Sequence, residues 1–530
     1  MAKIILPKTT SAIREAAVPV AGEIFYDSEK KLFYGGDGET VGGVPFRLAR
    51  TSDQYVYGID TEFNDDTVVN VTRVVLNLEH DNPDDANRYT HVSDFSQMPA
   101  HNFHRCLLVR DAGTGKLVFS KYLNASNSLY DRSGTRVNLD GTDGDVMVEV
   151  PATYVRLDLY LDGSSHLHEV YLVSNQPFEG AVAHRRCFDG PGGATMFTQY
   201  FGAFRSVACD SSGAIISQSA AETPVAYASG YRARSVATAA WALVDGVYEP
   251  TATISARAAG NWTRAQFRTA HGAHASNMTN CSCFFYQWMA LMMAIDGGTW
   301  DTQAGIGVGY TNRSAFAYQD LRATGRTAVF GNGTGSIIAD EAEGGVDADL
   351  ATGWKTGNPT PEHCVQMSWR GFEDPFGSQW QFEDGITMYQ TAETTDDSGY
   401  WCTNDTSRYA TYYNGDHSPL HGAAGSTFPD VGYTGAEDVW VSHAWPQANN
   451  YVKGVSQKDL YCNATTSSSA IAVKSYNDYF YAYTSTGSRV VIRGGYSPNG
   501  AYAGSFYVYV AGGLSHTGAS YGARPAAFLE

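Results

Sequence analysis

Apolar and polar positions alternate along most of this 530-residue chain, so short strands dominate the reading. Gly22 to Tyr26 alternates into a strand, Asp27 to Lys30 turns the chain, and Lys31 to Tyr34 returns, followed by a glycine turn at Gly35, Gly36 and Gly38. Between residues 48 and 145 the runs VVNVTRVVLNLEH and RCLLVRDAGTGKLVFSKYL are broken by polar turns at 64–66, 81–86 and 112–115. That spacing predicts a small antiparallel β-sandwich. Beyond it a large, irregular domain is expected from 146 to 530, with polar, turn-rich residues over 391–460.

Two stretches depart from the strand pattern. Trp262 to Ala270 follows Gly-Asn and predicts a helix capped by Asn261. Phe284 to Ile295 (FFYQWMALMMAI) is apolar on nearly every face and predicts a buried helix. Gln303 to Gly309 is glycine-rich and reads as a strand or turn. Late in the chain, FYVYV places Tyr507 and Tyr509 on one side of a strand and Val508 and Val510 on the other. The valines are the expected core pair.

Composition sharpens this picture. Hydrophobic content of 43% with only 17% charged residues marks a globular chain, and 55 Gly with 34 Tyr suits short strands and many turns. A net charge of −19 argues against nucleic acid as a partner, because a phosphate-binding face needs clustered Lys and Arg. No apolar run has the length of a membrane span, and the N-terminal MAKIILPKTTSAIREAA lacks the continuous apolar core of a secretory signal. The expectation is a protein made and kept in a cytoplasm, without membrane insertion, its eight Cys being structural thiols.

Asp140, Asp143 and Asp145 stand close together, but the spacing lacks the remaining oxygen ligands of a calcium loop; an Asp-stabilised turn is the better reading. His101, His104, His184, His271 and His274 fall in no metal spacing, and the last two read as a solvated helix end. Among 55 acidic residues some close pair arises by chance, so no catalytic dyad is inferred. No catalytic residue, metal or cofactor is assigned.

The stretch from Arg493 to Arg524, RGGYSPNGAYAGSFYVYVAGGLSHTGASYGAR, holds no charged residue between its two arginines. Tyr offers large amphipathic contact area with few torsions to freeze, and small neighbours let a backbone approach closely, which is the composition of a recognition surface. GGYSPNGAYAG, FYVYV and YGARP resemble the variable region of target proteins of diversity-generating retroelements. In that family mutagenic reverse transcription alters Asn-type codons, which cannot become Lys, Glu, Gln, Met or Trp by changes at the first two positions. None of those five occurs between Tyr496 and Tyr521. Tyr496 stands near the position where the family frame has Trp.

Trp369 to Ile386 (WRGFEDPFGSQWQFEDGI) resembles the signature of the formylglycine-generating-enzyme branch of the C-type lectin fold. Gly371, Gly377 and Gly385 permit its turns, Trp380 and Phe382 share one side of a strand as core anchors, and Glu373 and Asp384 are expected to accept backbone N–H groups. Asp374 and Gln381 stand where the family has Asn and Glu. An oxidase of that branch needs a late cysteine pair for copper, and this chain has no Cys after Cys462.

The hairpin at 16–46 and the phrase DGTDGDVMVEVP resemble modules of phage tail-fibre proteins, so the whole is similar to the tail-fibre receptor-binding proteins of the major tropism determinant class. The resemblance implies a mainly β fold with a few helices (α+β). Residues 1–47 would form a hairpin or β-prism module for trimerisation and attachment, 48–145 a β-sandwich, and 146–530 a C-type-lectin-like domain with its variable region at about 490–525. It further implies a homotrimer in the virion at the distal tail fibre, assembled in the host cytoplasm. The N-terminal module would join other tail proteins and the tip would bind a bacterial surface protein or glycan. The display residues implied are Tyr496, Ser497, Pro498, Asn499, Tyr502, Tyr509, Ala511, Gly512, His516, Gly518 and Ser520. Gly494, Gly495, Gly500, Gly504, Gly522 and Arg524 would be frame. The alternatives are a bacterial surface-displayed variable lectin-like protein, or an enzyme, oxidase or depolymerase, on the same fold.

Overall fold

In the computed structural model the described residues are nearly all of 55–216, all of 225–238, 259–307 and 367–390, and 487–529 apart from Ser497, with short pieces elsewhere. The chain divides into two units, Met1–Tyr55 with Gln176–Gly180, and Val56–Asn175 with Ala181–Glu530. The protein is mainly β with a few helices. No helix among the described residues is long and apolar enough to cross a membrane.

The first unit carries a four-stranded sheet in the order Lys8–Thr9, Ile24–Asp27, Leu32–Gly35, Val44–Pro45. The expected hairpin is its centre, with Phe25 opposite Tyr34 and Tyr26 opposite Phe33.

The second unit is built on two six-stranded antiparallel sheets and one of seven strands. One six-stranded sheet runs Val182–Ala183, Tyr154–Leu161, Leu167–Ser174, Tyr57–Asn64, Thr67–Leu76, Tyr89–His91. The other runs Met278–Asn280, Pro525–Ala527, Thr198–Gly202, Asp145–Pro151, His104–Arg110, Leu117–Tyr122. This second sheet joins strands from both sides of residue 145, and the expected boundary between 145 and 146 falls inside the Asp145–Pro151 strand.

Three helices follow the capping rules. Helix α1, Arg264–His274, begins at Thr263, whose hydroxyl accepts from Gln266 N while the Gln266 side chain accepts from Thr263 N. The cap is therefore Thr263 and not Asn261, which takes a positive φ of 62° just ahead of it. Helix α2, Cys283–Gly297, is capped by Ser282 and closed by Gly298 in the left-handed conformation; every residue from Cys283 to Asp296 is buried. Helix α3, Thr302–Ile306, replaces the strand or turn expected there, because the Asp301 carboxylate accepts from Ala304 N and starts a helix.

Helix α2 is buried on all sides because several elements pack on it. Ile59 and Val173 of the first sheet, Val146 and Val148 of the second, Trp288 and Met292 of α2, and Val508 and Val510 belong to one hydrophobic cluster.

Candidate functional site

The seven-stranded sheet runs Thr465–Ser467, Asn450–Gly454, Tyr479–Tyr481, Gly504–Tyr509, Ile492–Gly494, Trp380–Phe382, Tyr521–Gly522. It places the uncharged segment directly beside the Trp369–Ile386 motif: Gln381 pairs with Arg493 on one side and with Gly522 on the other. Alternation then sorts the side chains as read from sequence. Val508 and Val510 join the cluster around α2, while Tyr507 and Tyr509 face a second cluster with Trp262, Phe267, Trp380, Phe382 and Ile492. Trp380 and Phe382 are both buried there.

Both ends of the segment are fastened by buried arginines. Arg493 pairs with Glu383 and donates to Ser505 O at 3.0 Å. Burial pushes the Glu383 carboxyl up, and the Arg493 charge opposes it. Arg524 is wholly buried and donates five bonds: Gly202 O at 2.7 Å, Ala203 O at 2.9 Å, Glu373 O at 2.6 Å, Asp374 O at 3.1 Å and Gln381 Oε1 at 3.1 Å. One side chain thus closes carbonyls from three separate stretches. Glu373 accepts from Gly325 N, Thr327 N and the Thr327 hydroxyl, each at 2.9 Å, as the motif reading expected. Asp384 accepts from Gly385 N and from Asn280, and it also takes a two-pronged bond from Arg268.

Between these anchors lies a run of aromatic rings. Tyr481 and Tyr509 sit on paired strands and stack at 5.0 Å with 13° between planes. Tyr509 stacks in turn on His516 at 5.9 Å, and His516 meets Tyr521 at 4.5 Å. Trp380 touches Tyr507 at 4.5 Å, Tyr509 at 5.5 Å and Tyr496 at 6.1 Å. The Tyr521 hydroxyl bonds to that of Tyr509, and burial raises the pKa of both phenols.

Exposure divides the display candidates. Tyr502, in a short turn of 3-10 helix at Gly500–Tyr502, is 43% exposed. Tyr496, Pro498, Asn499, Tyr509, Ala511, His516, Gly518 and Ser520 are half-buried. Tyr496 and Asn499 close a turn, Tyr496 N donating to Asn499 Oδ1 at 2.8 Å and Asn499 N to Tyr496 O at 2.9 Å. Ser497 lies outside the described residues. Gly512 is buried: a Cβ built on it would fall on the His516 ring, so it seats that ring and presents nothing itself. Ser515 and Thr517, which the sequence reading passed over, are exposed on either side of His516. Among the frame positions, Gly495 takes a φ of 80° with Ala503 close by, a place that suits only glycine.

Comparison with known proteins gives little sequence kinship. No family model and no curated protein matches the chain. Among solved structures it is similar to the major tropism determinant: the I1 variant at 13% identity and a TM-score of 0.23, over 99% of both chains. The M1 variant matches at 12% and 0.23, over 99% of this chain and 100% of that one. The U1 variant matches at 11% and 0.22, over 99% of both.

Other candidate chemistry resolves into scaffold. Asp140 Oδ1 accepts from Thr142 N and Asp143 Oδ2 from Asn138 N, so these two build a turn. Asp145 is buried against His274, Arg234 and Ser235 N. His271 and His274 are buried, contrary to the solvated helix end expected. His271 sits between the Ser206 hydroxyl and Asn280 Oδ1, each at 2.8 Å. Cys106, Cys187, Cys209, Cys281 and Cys283 are buried, and burial pushes the Cys209 thiol up to about 12.

Proposed function

We propose that this chain is a receptor-binding adhesin of a phage tail fibre, acting by binding and not as an enzyme. One observation carries the reading: a segment without charged residues, fixed at both ends by buried arginines, presents Tyr502, Ser515 and Thr517 to solvent around a supported aromatic seat. Such a surface offers amphipathic contact area at low entropic cost, which suits a surface protein or a glycan. Arg493 and Arg524 hold the ends of the segment through Glu383, Gln381 and main-chain carbonyls and not through Tyr502, Ser515 or Thr517, as a diversified site requires.

On this reading the seven-stranded sheet and its Trp369–Ile386 support are the C-type-lectin-like element, and the protein trimerises in the virion, so several weak sites on one particle add avidity. Its segment is diversified by a retroelement after the phage enters its host, where the protein is assembled.

The experiment is a segment exchange. Residues 496–520 of a second, differently adsorbing relative are placed between Gly495 and Tyr521, and binding of purified protein to bacterial cells is measured. The adhesin reading expects cell specificity to follow the segment. Unchanged specificity with a folded chimera would overturn it.

A further inference from the structure

A separate cluster lies on the first six-stranded sheet. Ile59 points into the core, so Asp60 and Glu62 share the opposite face of their strand, and His168 stands in register with Glu62 on the neighbouring one. His166 is two residues before His168 and shares that face. The sequence around them is Asp162-Gly-Ser-Ser-His166-Leu-His168.

The atoms converge from two places far apart in the chain. His166 Nδ1 lies 2.6 Å from Glu62 Oε1. Asp162 Oδ1 accepts from Ser164 N at 2.9 Å and His166 N at 2.8 Å, which fixes the carboxylate over the turn. One ligating atom each from Glu62, Asp162 and His166 falls within 4.8 Å of the others. All three side chains are partly open to solvent, at 22%, 30% and 25% exposure, so an ion can reach them. His168 forms a rigid wall beside them. Its Nδ1 is held by Asp60 at 2.9 Å, its ring stacks on Tyr160 at 4.6 Å, and its Nε2 stands 3.8 Å from Asp162 Oδ2.

We propose that Glu62, Asp162 and His166 bind one divalent first-row transition-metal ion, Zn²⁺ or Mn²⁺. Bonds of about 2.0–2.2 Å place neighbouring ligand atoms about 3–3.5 Å apart, a span this cluster reaches with small side-chain adjustments. Two carboxylates and a neutral imidazole carry the charge and donor types such an ion takes, whereas Ca²⁺ prefers six to eight oxygens. The metal takes the place of the hydrogen bond between His166 Nδ1 and Glu62 Oε1. It clips the 162–166 turn to the Tyr57–Asn64 strand, and its remaining positions hold water or an incoming ligand.

The test uses the full chain, stripped with a chelator and dialysed separately against Zn²⁺ and Mn²⁺, with retained metal counted by mass spectrometry. One ion per chain is expected, and the melting temperature rises with the metal. Glu62→Gln keeps a hydrogen bond to His166 but loses the anionic oxygen. Glu62→Gln and Asp162→Asn should each weaken retention at least tenfold while melting like the parent without metal. An unmodified chain that retains no ion would reduce the trio to a hydrogen-bonded ion pair. Undiminished retention in both variants would place the metal elsewhere. Either result overturns the proposal.

Discussion

Trp380 meets Tyr507 edge to face with their ring centroids 4.5 Å apart, which ties the fixed motif to the uncharged segment. Truncating a buried aromatic removes its transfer energy and leaves a cavity. Trp380→Ala should therefore destabilise the protein by about 3–5 kcal/mol in chemical denaturation. A double-mutant cycle with Tyr507→Ala should return a coupling of about 0.5–1.5 kcal/mol. A zero coupling would mean that the rings do not support one another.

Arg524 has a different kind of importance. Replacing it with Met removes a donor from Gly202 O, Ala203 O, Glu373 O, Asp374 O and Gln381 Oε1. Ala203 O, Asp374 O and Gln381 Oε1 keep Glu373 N, Gln381 Nε2 and the Tyr286 hydroxyl, so the cost of roughly 1–3 kcal/mol per unsatisfied group falls on the others. Arg524→Met should give little or no soluble protein, and Arg524→Lys should recover only part, since an ammonium lacks the planar fork. Soluble yield and urea midpoint read both.

Solvent-facing residues should behave oppositely. Tyr502→Ala, Ser515→Ala and Thr517→Ala combined should leave stability within about 1 kcal/mol, because isolated surface changes rarely cost more than a few tenths each. On the adhesin proposal, binding of the purified protein to bacterial cells should fall sharply. Tyr509→Ala should lower the melting temperature as well, because its ring lies between Tyr481, Trp380 and His516.

Acid should act in two windows. Burial holds the His271 pKa down at about 4, below its unfolded value of about 6.5, so the unfolded chain binds the extra proton between them. That stability is complete above the unfolded value and is lost as the pH falls from about 6.5 towards 4. Burial alone would raise Asp145; the charges of His274 and Arg234 outweigh it and hold the carboxyl at about 2, so its share disappears as the pH falls from about 4 towards 2. Unfolding free energies across pH should show both slopes. Asp145→Asn should flatten the lower one.

Local pattern carried far in this chain, and distance in sequence set its limit. The alternation of FYVYV and the all-apolar run of α2 dictate their own surroundings, and the structure places them accordingly. The capping box of α1 was also written locally, as Thr263 with Gln266 three residues on, but Asn261 is an equally good cap by type, and only the backbone decides between them. His271 and His274 look solvated because their partners, Ser206, Asn280 and Asp145, come from other elements. The half-burial of Tyr509 depends on Tyr481 and Trp380, brought beside it by the sheet order.

Gly512 and His516 are sterically coupled, since the imidazole occupies the space a side chain at 512 would need. The two positions are one choice: enlarging the first demands shrinking or turning the second. A randomised library would contain fewer usable combinations than its codons count, and surviving sequences should show correlated substitutions at this pair.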